Sequence, residues 1–143
     1  MIDIEKTIFK QETPADNPAA CILSLLRYFG DDNELDKLKG LCGSSNVGTT
    51  FGGLLQAFKQ LDYSCKAYQA SIDNLIEYNK PMILHTIDKM TLQYHFTIFY
   101  YYKNDKFYIG NTESGLLKEV ERKTLSELWL SGYCLGVEKG AIK

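Results

Sequence analysis

Apolar and polar positions alternate along this chain in two different ways. In the first part, Ala20, Cys21, Leu23, Leu25, Leu26 and Phe29 follow Asn17-Pro18 with little β-branching. Asparagine suits an N-cap and proline the first helical position, so the pair predicts a helix start. Apolar residues fall on most sides of this helix, which predicts a central, buried element. Gly30 ends it. Asn33 is placed to cap a shorter helix carrying Leu35, Leu38 and Leu41. Residues 42–48 read as a loop, and Thr50 opens a third helix with Leu54, Leu55, Phe58 and Leu61 on one face.

After Asp62 the pattern turns to strands. Residues 63–71 predict a strand, and 72–78 a short helix with Ile72, Leu75 and Ile76 inward. Pro81-Met82-Ile83-Leu84 enters a buried strand. Residues 92–102 form a long strand that returns through the turn Lys103-Asn104-Asp105-Lys106 into Phe107-Tyr108-Ile109. Residues 111–115 make a turn and 116–120 another strand. Thr124 is placed to cap a last helix with Leu125, Leu128 and Trp129, and residues 133–137 close the sheet. Helices first and an antiparallel sheet afterwards is an α+β arrangement. One domain is expected over residues 1–143, its helical half about 1–62 and its sheet half about 63–143.

Composition sharpens this picture little. Ten Tyr and seven Phe, many of them in runs such as Phe99-Tyr100-Tyr101-Tyr102, favour the strand-rich half. The net charge of −2 comes without a Lys/Arg block, so no nucleic-acid partner is expected. Cys21, Cys42, Cys65 and Cys134 form no CxxC pair and read as thiols in a reducing cytosol, so neither a metal site nor a cofactor is expected. The first residues lack a basic patch followed by an apolar stretch, and no apolar run approaches the ~20 residues of a membrane span. What is present is therefore expected to be soluble.

Gln11, Asn17, His95 and Asn111 stand out. Taken singly, each has an ordinary structural explanation: a surface glutamine, a cap, a packed strand histidine and a turn residue. Together they resemble a family. The segment Gln11-Glu12-Thr13-Pro14-Ala15-Asp16-Asn17-Pro18-Ala19-Ala20-Cys21 is similar to the catalytic segment of the bacteriocin-processing cysteine peptidase domains of peptide-exporting ABC transporters. That segment reads Gln, five residues, then Cys-Gly-x-Ala, and Asp16 stands before the nucleophile position. Gly48-Thr49-Thr50 with Gly53-Leu54, Pro81 to His85, His95-Phe96-Thr97, Asn111 with Gly115, and Trp129 with Gly132-Tyr133 resemble the family's later landmarks in order.

The resemblance implies a papain-like fold and an active site of known logic. A thiolate at a helix N-terminus is favoured by the helix dipole and an imidazole. The histidine acts as base and then acid, a third residue orients its ring, and a glutamine stabilises the oxyanion. Gln11 and His95 match two of those roles. Asn17 stands at the nucleophile position, where a resonance-delocalised amide is no nucleophile. Loss of a nucleophile in comparable triads costs about six orders of magnitude in turnover. Pro18 replaces Gly and offers no N–H, and Asn111 replaces an acid. Cys21, one turn deeper, is expected to be a core thiol.

The function expected from these residues is a catalytically degenerate peptidase-like domain of a peptide exporter. It would bind a leader or secreted peptide at the cytosolic face of the inner membrane, beside transmembrane and ATPase domains. The alternatives are an active peptidase cleaving double-glycine leaders and a standalone interaction module.

Overall fold

A computed structural model describes residues 3–42 and 51–139. The chain opens with α1 (Ile4–Thr7) and a single 3-10 turn over Pro14–Asp16, then enters α2 (Asn17–Tyr28). Next come α3 (Leu35–Leu41), α4 (Phe51–Gln60), β1 (Tyr63–Gln69), α5 (Ile72–Tyr78), β2 (Met82–Ile87) and β3 (Tyr94–Lys103). Then follow β4 (Lys106–Asn111), β5 (Leu116–Val120), α6 (Arg122–Leu128) and β6 (Tyr133–Lys139). The six strands form one antiparallel sheet in the order β1-β6-β2-β3-β4-β5.

The sheet is covered on both faces, which explains its uninterrupted apolar runs. On one face, Ile22, Leu25 and Leu26 of α2 and Phe58 of α4 pack with Ile83, Ile98, Tyr100, Leu135 and Val137. On the other, Leu75 of α5 and Leu125 and Trp129 near α6 pack with Met82, Leu84, Phe99, Phe107 and Cys134. Successive strand residues point to opposite faces, so neighbours such as Ile83 and Leu84 serve different cores. Each fully buried large aliphatic side chain contributes on the order of 1.5–3 kcal/mol of hydrophobic stabilisation. In α2 every residue from Asn17 to Leu26 is buried, as its all-round apolar pattern predicts.

Local geometry follows the turn chemistry. Asn104 and Asp105 both have positive φ, 52° and 63°, and close the β3–β4 hairpin in the twist that two-residue turns favour. Gly30, with φ 93°, follows the last turn of α2. Gly110 is required for space: a Cβ there would meet the Tyr100 ring at 2.7 Å.

Several expected boundaries need correction. Glu34, not Asn33, precedes α3; the Asn33 carboxamide instead accepts from the Glu34 N–H at 2.8 Å. Helix α6 begins at Arg122 after Glu121, so Thr124 lies inside its first turn. Strand β3 starts at Tyr94, because Leu92 adopts a left-handed φ of 59° in the preceding turn. The landmark at Gly48-Thr49-Thr50 and the expected opening of α4 at Thr50 lie outside the described residues.

Candidate functional site

The site is built where α2 begins, beside the first residues of β3 and the turn after β4. The 3-10 turn delivers the chain into α2 and is fixed by Asp16. Its buried carboxylate accepts from the Glu12 and Thr13 N–H groups at 3.1 and 3.2 Å and from Lys39 Nζ at 3.0 Å. Burial alone would raise this carboxyl; the Lys39 ammonium and the two backbone donors outweigh it and hold it below its usual range.

Asn17 does not serve as the cap that its position suggests. Its backbone is already helical, with φ −49° and ψ −51°, and its N–H is spent on the Pro14 carbonyl. Its side chain is 5% exposed and reaches across to β3. The Phe96 N–H donates to Asn17 Oδ1 at 2.7 Å, while Asn17 Nδ2 donates to the Phe96 carbonyl at 2.9 Å. A carboxamide thus exchanges both bonds with one strand residue, as a paired strand residue would. Nδ2 also donates to Thr112 Oγ1 at 3.1 Å. The Thr112 hydroxyl, in a residue only 2% exposed, donates to Gln11 Oε1 at 2.5 Å. The Gln11 N–H in turn donates to the Thr112 carbonyl at 2.8 Å.

A cavity of about 430 Å³ opens over this network. Gln11, Asn17, Pro18 and His95 line it, with His85 and Tyr94 along one wall and Asp88 and Glu113 among the remaining lining residues. The structure therefore brings Gln11, Asn17 and His95 to one cavity. His95 is the second residue of β3, opposite Thr86 of β2 and next to the Phe96 that Asn17 holds. Asn111 has a different engagement. Its Oδ1 accepts from the Glu113 and Ser114 N–H groups at 2.8 and 3.1 Å, which braces the turn that follows β4.

The cavity wall is aromatic. The His85 ring stacks on Tyr94 with centroids 4.6 Å apart and lies at a tilt to Phe51 and Phe96. Its Nδ1 is 3.3 Å from Ser131 Oγ. Burial first, and the nearby His95 second, lower the basicity of His85. Asp88 accepts from the Met90 and Thr91 N–H groups, which with His95 holds its carboxyl below the usual range.

Cys21 lies beneath Asn17. Its thiol donates to the Phe96 carbonyl at 3.5 Å and is fully buried. Burial pushes it far above the ordinary thiol range, against a smaller opposing effect of the Thr112 hydroxyl. Cys65 is likewise pushed up by burial, to about 12. Among the described residues no group of three His, Cys, Asp or Glu is arranged to hold a metal ion, and no helix is long and apolar enough to cross a membrane.

Residues 5–141 match the peptidase C39 family. This chain belongs to that family. As a C39 domain it is 29% identical over 124 residues to the lactococcin-G-processing and transport ATP-binding protein LagD of Lactococcus lactis subsp. lactis. That match covers 85% of this chain and 17% of LagD, so the chain spans a small part of its relative's length. The C39 fold is evident in solved structures too. The peptidase domain of Streptococcus ComA, a bi-functional ABC transporter involved in a quorum sensing pathway, superposes with a TM-score of 0.81 at 23% identity. That comparison covers 90% of this chain and 95% of the ComA chain. A double glycine motif protease from an AMS/PCAT transporter, solved in complex with the leader peptide, gives 0.82 at 20% identity over 92% of this chain and 90% of that one. The papain-like α+β fold implied by the C39 motifs is the one observed.

Thr112 was missed by reasoning from sequence. It follows Asn111 directly, and a hydroxyl beside that candidate residue was the available signal. Only the fold reveals that this hydroxyl joins Asn17 to Gln11.

Proposed function

We propose that this C39 domain binds an extended peptide in the cavity above Asn17 and does not hydrolyse it. The observation that carries the reading is the state of the Asn17 side chain. Both ends of its carboxamide are bonded to the Phe96 backbone, so the position that supplies the attacking sulfur in active relatives supplies structure here. The oxyanion machinery is reduced in the same way. Pro18 has no N–H, and that of Asn17 is directed at the Pro14 carbonyl. Cys21 offers no substitute, since its buried thiol stays protonated at neutral pH.

What survives is a groove with a polar floor and aromatic walls. Such a groove holds a peptide by apolar burial and by backbone-type hydrogen bonds. LagD is named for lactococcin G processing and transport, and the AMS/PCAT protease was solved with a leader peptide bound. By analogy the ligand here is a leader or secreted peptide, presented to the transmembrane and ATPase parts of an ABC exporter at the cytosolic face.

Incubation with double-glycine leader peptides tests this directly. Binding is expected by anisotropy, with no cleavage product by mass spectrometry. Cleavage by the native chain that disappears in Cys21→Ala would overturn the reading. The triple substitution Asn17→Cys, Pro18→Gly, Asn111→Asp restores the family pattern and is expected to create a thiolate more reactive than that of Cys21.

A further inference from the structure

The hydrogen bonds under the cavity have a fixed direction, and it starts at a group that cannot be reversed. The Phe96 N–H is a backbone donor, so the Asn17 atom facing it is the oxygen. Asn17 Nδ2 is then forced to donate, and it does so to the Phe96 carbonyl and Thr112 Oγ1. Thr112 receives that bond and donates its own proton to Gln11 Oε1. Gln11 Nε2 is thereby turned away from the network. Among the described residues the only buried side-chain polar atom without a hydrogen bond is the Tyr100 hydroxyl. Gln11 Nε2 is therefore not sealed in the protein, and Gln11 lines the cavity.

We propose that Thr112 is a positioning residue that sets the Gln11 carboxamide as a hydrogen-bond donor into the cavity, and that the group received there is the neutral carbonyl oxygen of an uncut peptide bond rather than a terminal carboxylate. This rests on the peptide-binding reading above and specifies its ligand. The donor calls for an acceptor oxygen, and the charges choose between the two kinds. Asp88 and Glu113 line the same cavity. The Asp88 carboxyl is held ionised by the Met90 and Thr91 N–H groups. Two acidic side chains lining the same cavity penalise a further negative charge there, whereas a neutral carbonyl is unaffected. The C-terminal carboxylate of a leader already cut elsewhere is the disfavoured form, so the site prefers the uncut precursor.

Three forms of one double-glycine leader peptide test this by calorimetry: continued past the second glycine, ending there as an amide, and ending there as a free acid. The continued and amidated forms are expected to bind alike, and the acid about tenfold more weakly, a difference of about 1.4 kcal/mol. On binding the amide, the Gln11 side-chain NH2 signals should shift in the NMR spectrum. Thr112→Val should weaken binding of the amidated form about fivefold, and Thr112→Ser should restore it, since a lost neutral hydrogen bond is worth about 1 kcal/mol. If Thr112→Val does not fold, the wild-type ratio and the Gln11 shift decide alone. Equal binding of all three forms, or tighter binding of the acid, overturns this inference while leaving peptide binding intact. If no form binds, the function proposed above fails as well.

Discussion

Asn17 illustrates how much one carboxamide is asked to do. It is the one short side chain that offers a donor and an acceptor side by side, which is what the Phe96 N–H and C=O require. Asn17→Ala would leave that N–H buried and unmet, so a loss of about 1–3 kcal/mol in chemical denaturation is expected. Asn17→Asp makes a sharper test. An ionised oxygen would face the Phe96 carbonyl, so the folded state would favour the protonated acid and raise its pKa. Stability would then be intact below the unfolded value of about 3.9 and lost as pH rises through the folded one. At pH 7 the variant should be roughly 3 kcal/mol less stable than wild type, with much of that recovered at pH 4.5. A deficit independent of pH would rule out the proposed contact. Cys21, sealed below, should react with iodoacetamide only as fast as the protein unfolds.

At the scale of elements, the start of α2 is held by Asp16, which ties the turn before it to Lys39 of α3. The pKa of Asp16 is lowered in the fold, so its contribution is present above pH 3.8 and is lost as pH falls through the lowered value. Asp16→Asn should flatten the fall in melting temperature between pH 5 and pH 3; an unchanged acid limb would count against the tie. Gly110→Ala drives a methyl into the Tyr100 ring and should cost about 1–3 kcal/mol. Much of this level was legible in the sequence. Asn17-Pro18 and Gly30 bracket α2 because their backbone preferences are local, and the Asn104-Asp105 turn is local chemistry too. The role of the Asn17 side chain was not legible, because a cap and a cross-sheet clamp use the same residue type and differ only in what lies 79 positions away. Thr112 was hidden for the same reason. Asn111 reads as a turn residue, and its carboxamide oxygen does brace the turn after β4.

For the whole molecule, two cores share one sheet, so neither face can melt without exposing the other side of the same strands. One cooperative transition is expected. The single tryptophan, Trp129, reports on the core under α5 and α6, and its Nε1 donates to the Tyr133 carbonyl at 2.9 Å. Its fluorescence should change at the same denaturant concentration as the helical circular dichroism, which is weighted toward α2 and α4 on the opposite face. Separate midpoints would mean that the two cores fold independently. His85 adds a second pH dependence. Its basicity is lowered in the fold, so stability should hold above pH 6.5 and decline below it as the unfolded chain takes up the proton first.

The residues ahead of the 3-10 turn are stitched to distant parts of the fold. Glu5 accepts from the Leu117 N–H, Phe9 donates to Ser24 Oγ, and Ile8 lies in the buried core. A recombinant fragment beginning at Pro14 would keep every helix and strand of the central scaffold and still lose Gln11. It would also free the edge of β5 at Leu117, an open invitation to intermolecular strand pairing. Such a trimmed protein should precipitate before it loses its secondary structure, so the stretch from Glu5 to Gln11 acts as a solubility guard as well as a floor for the cavity.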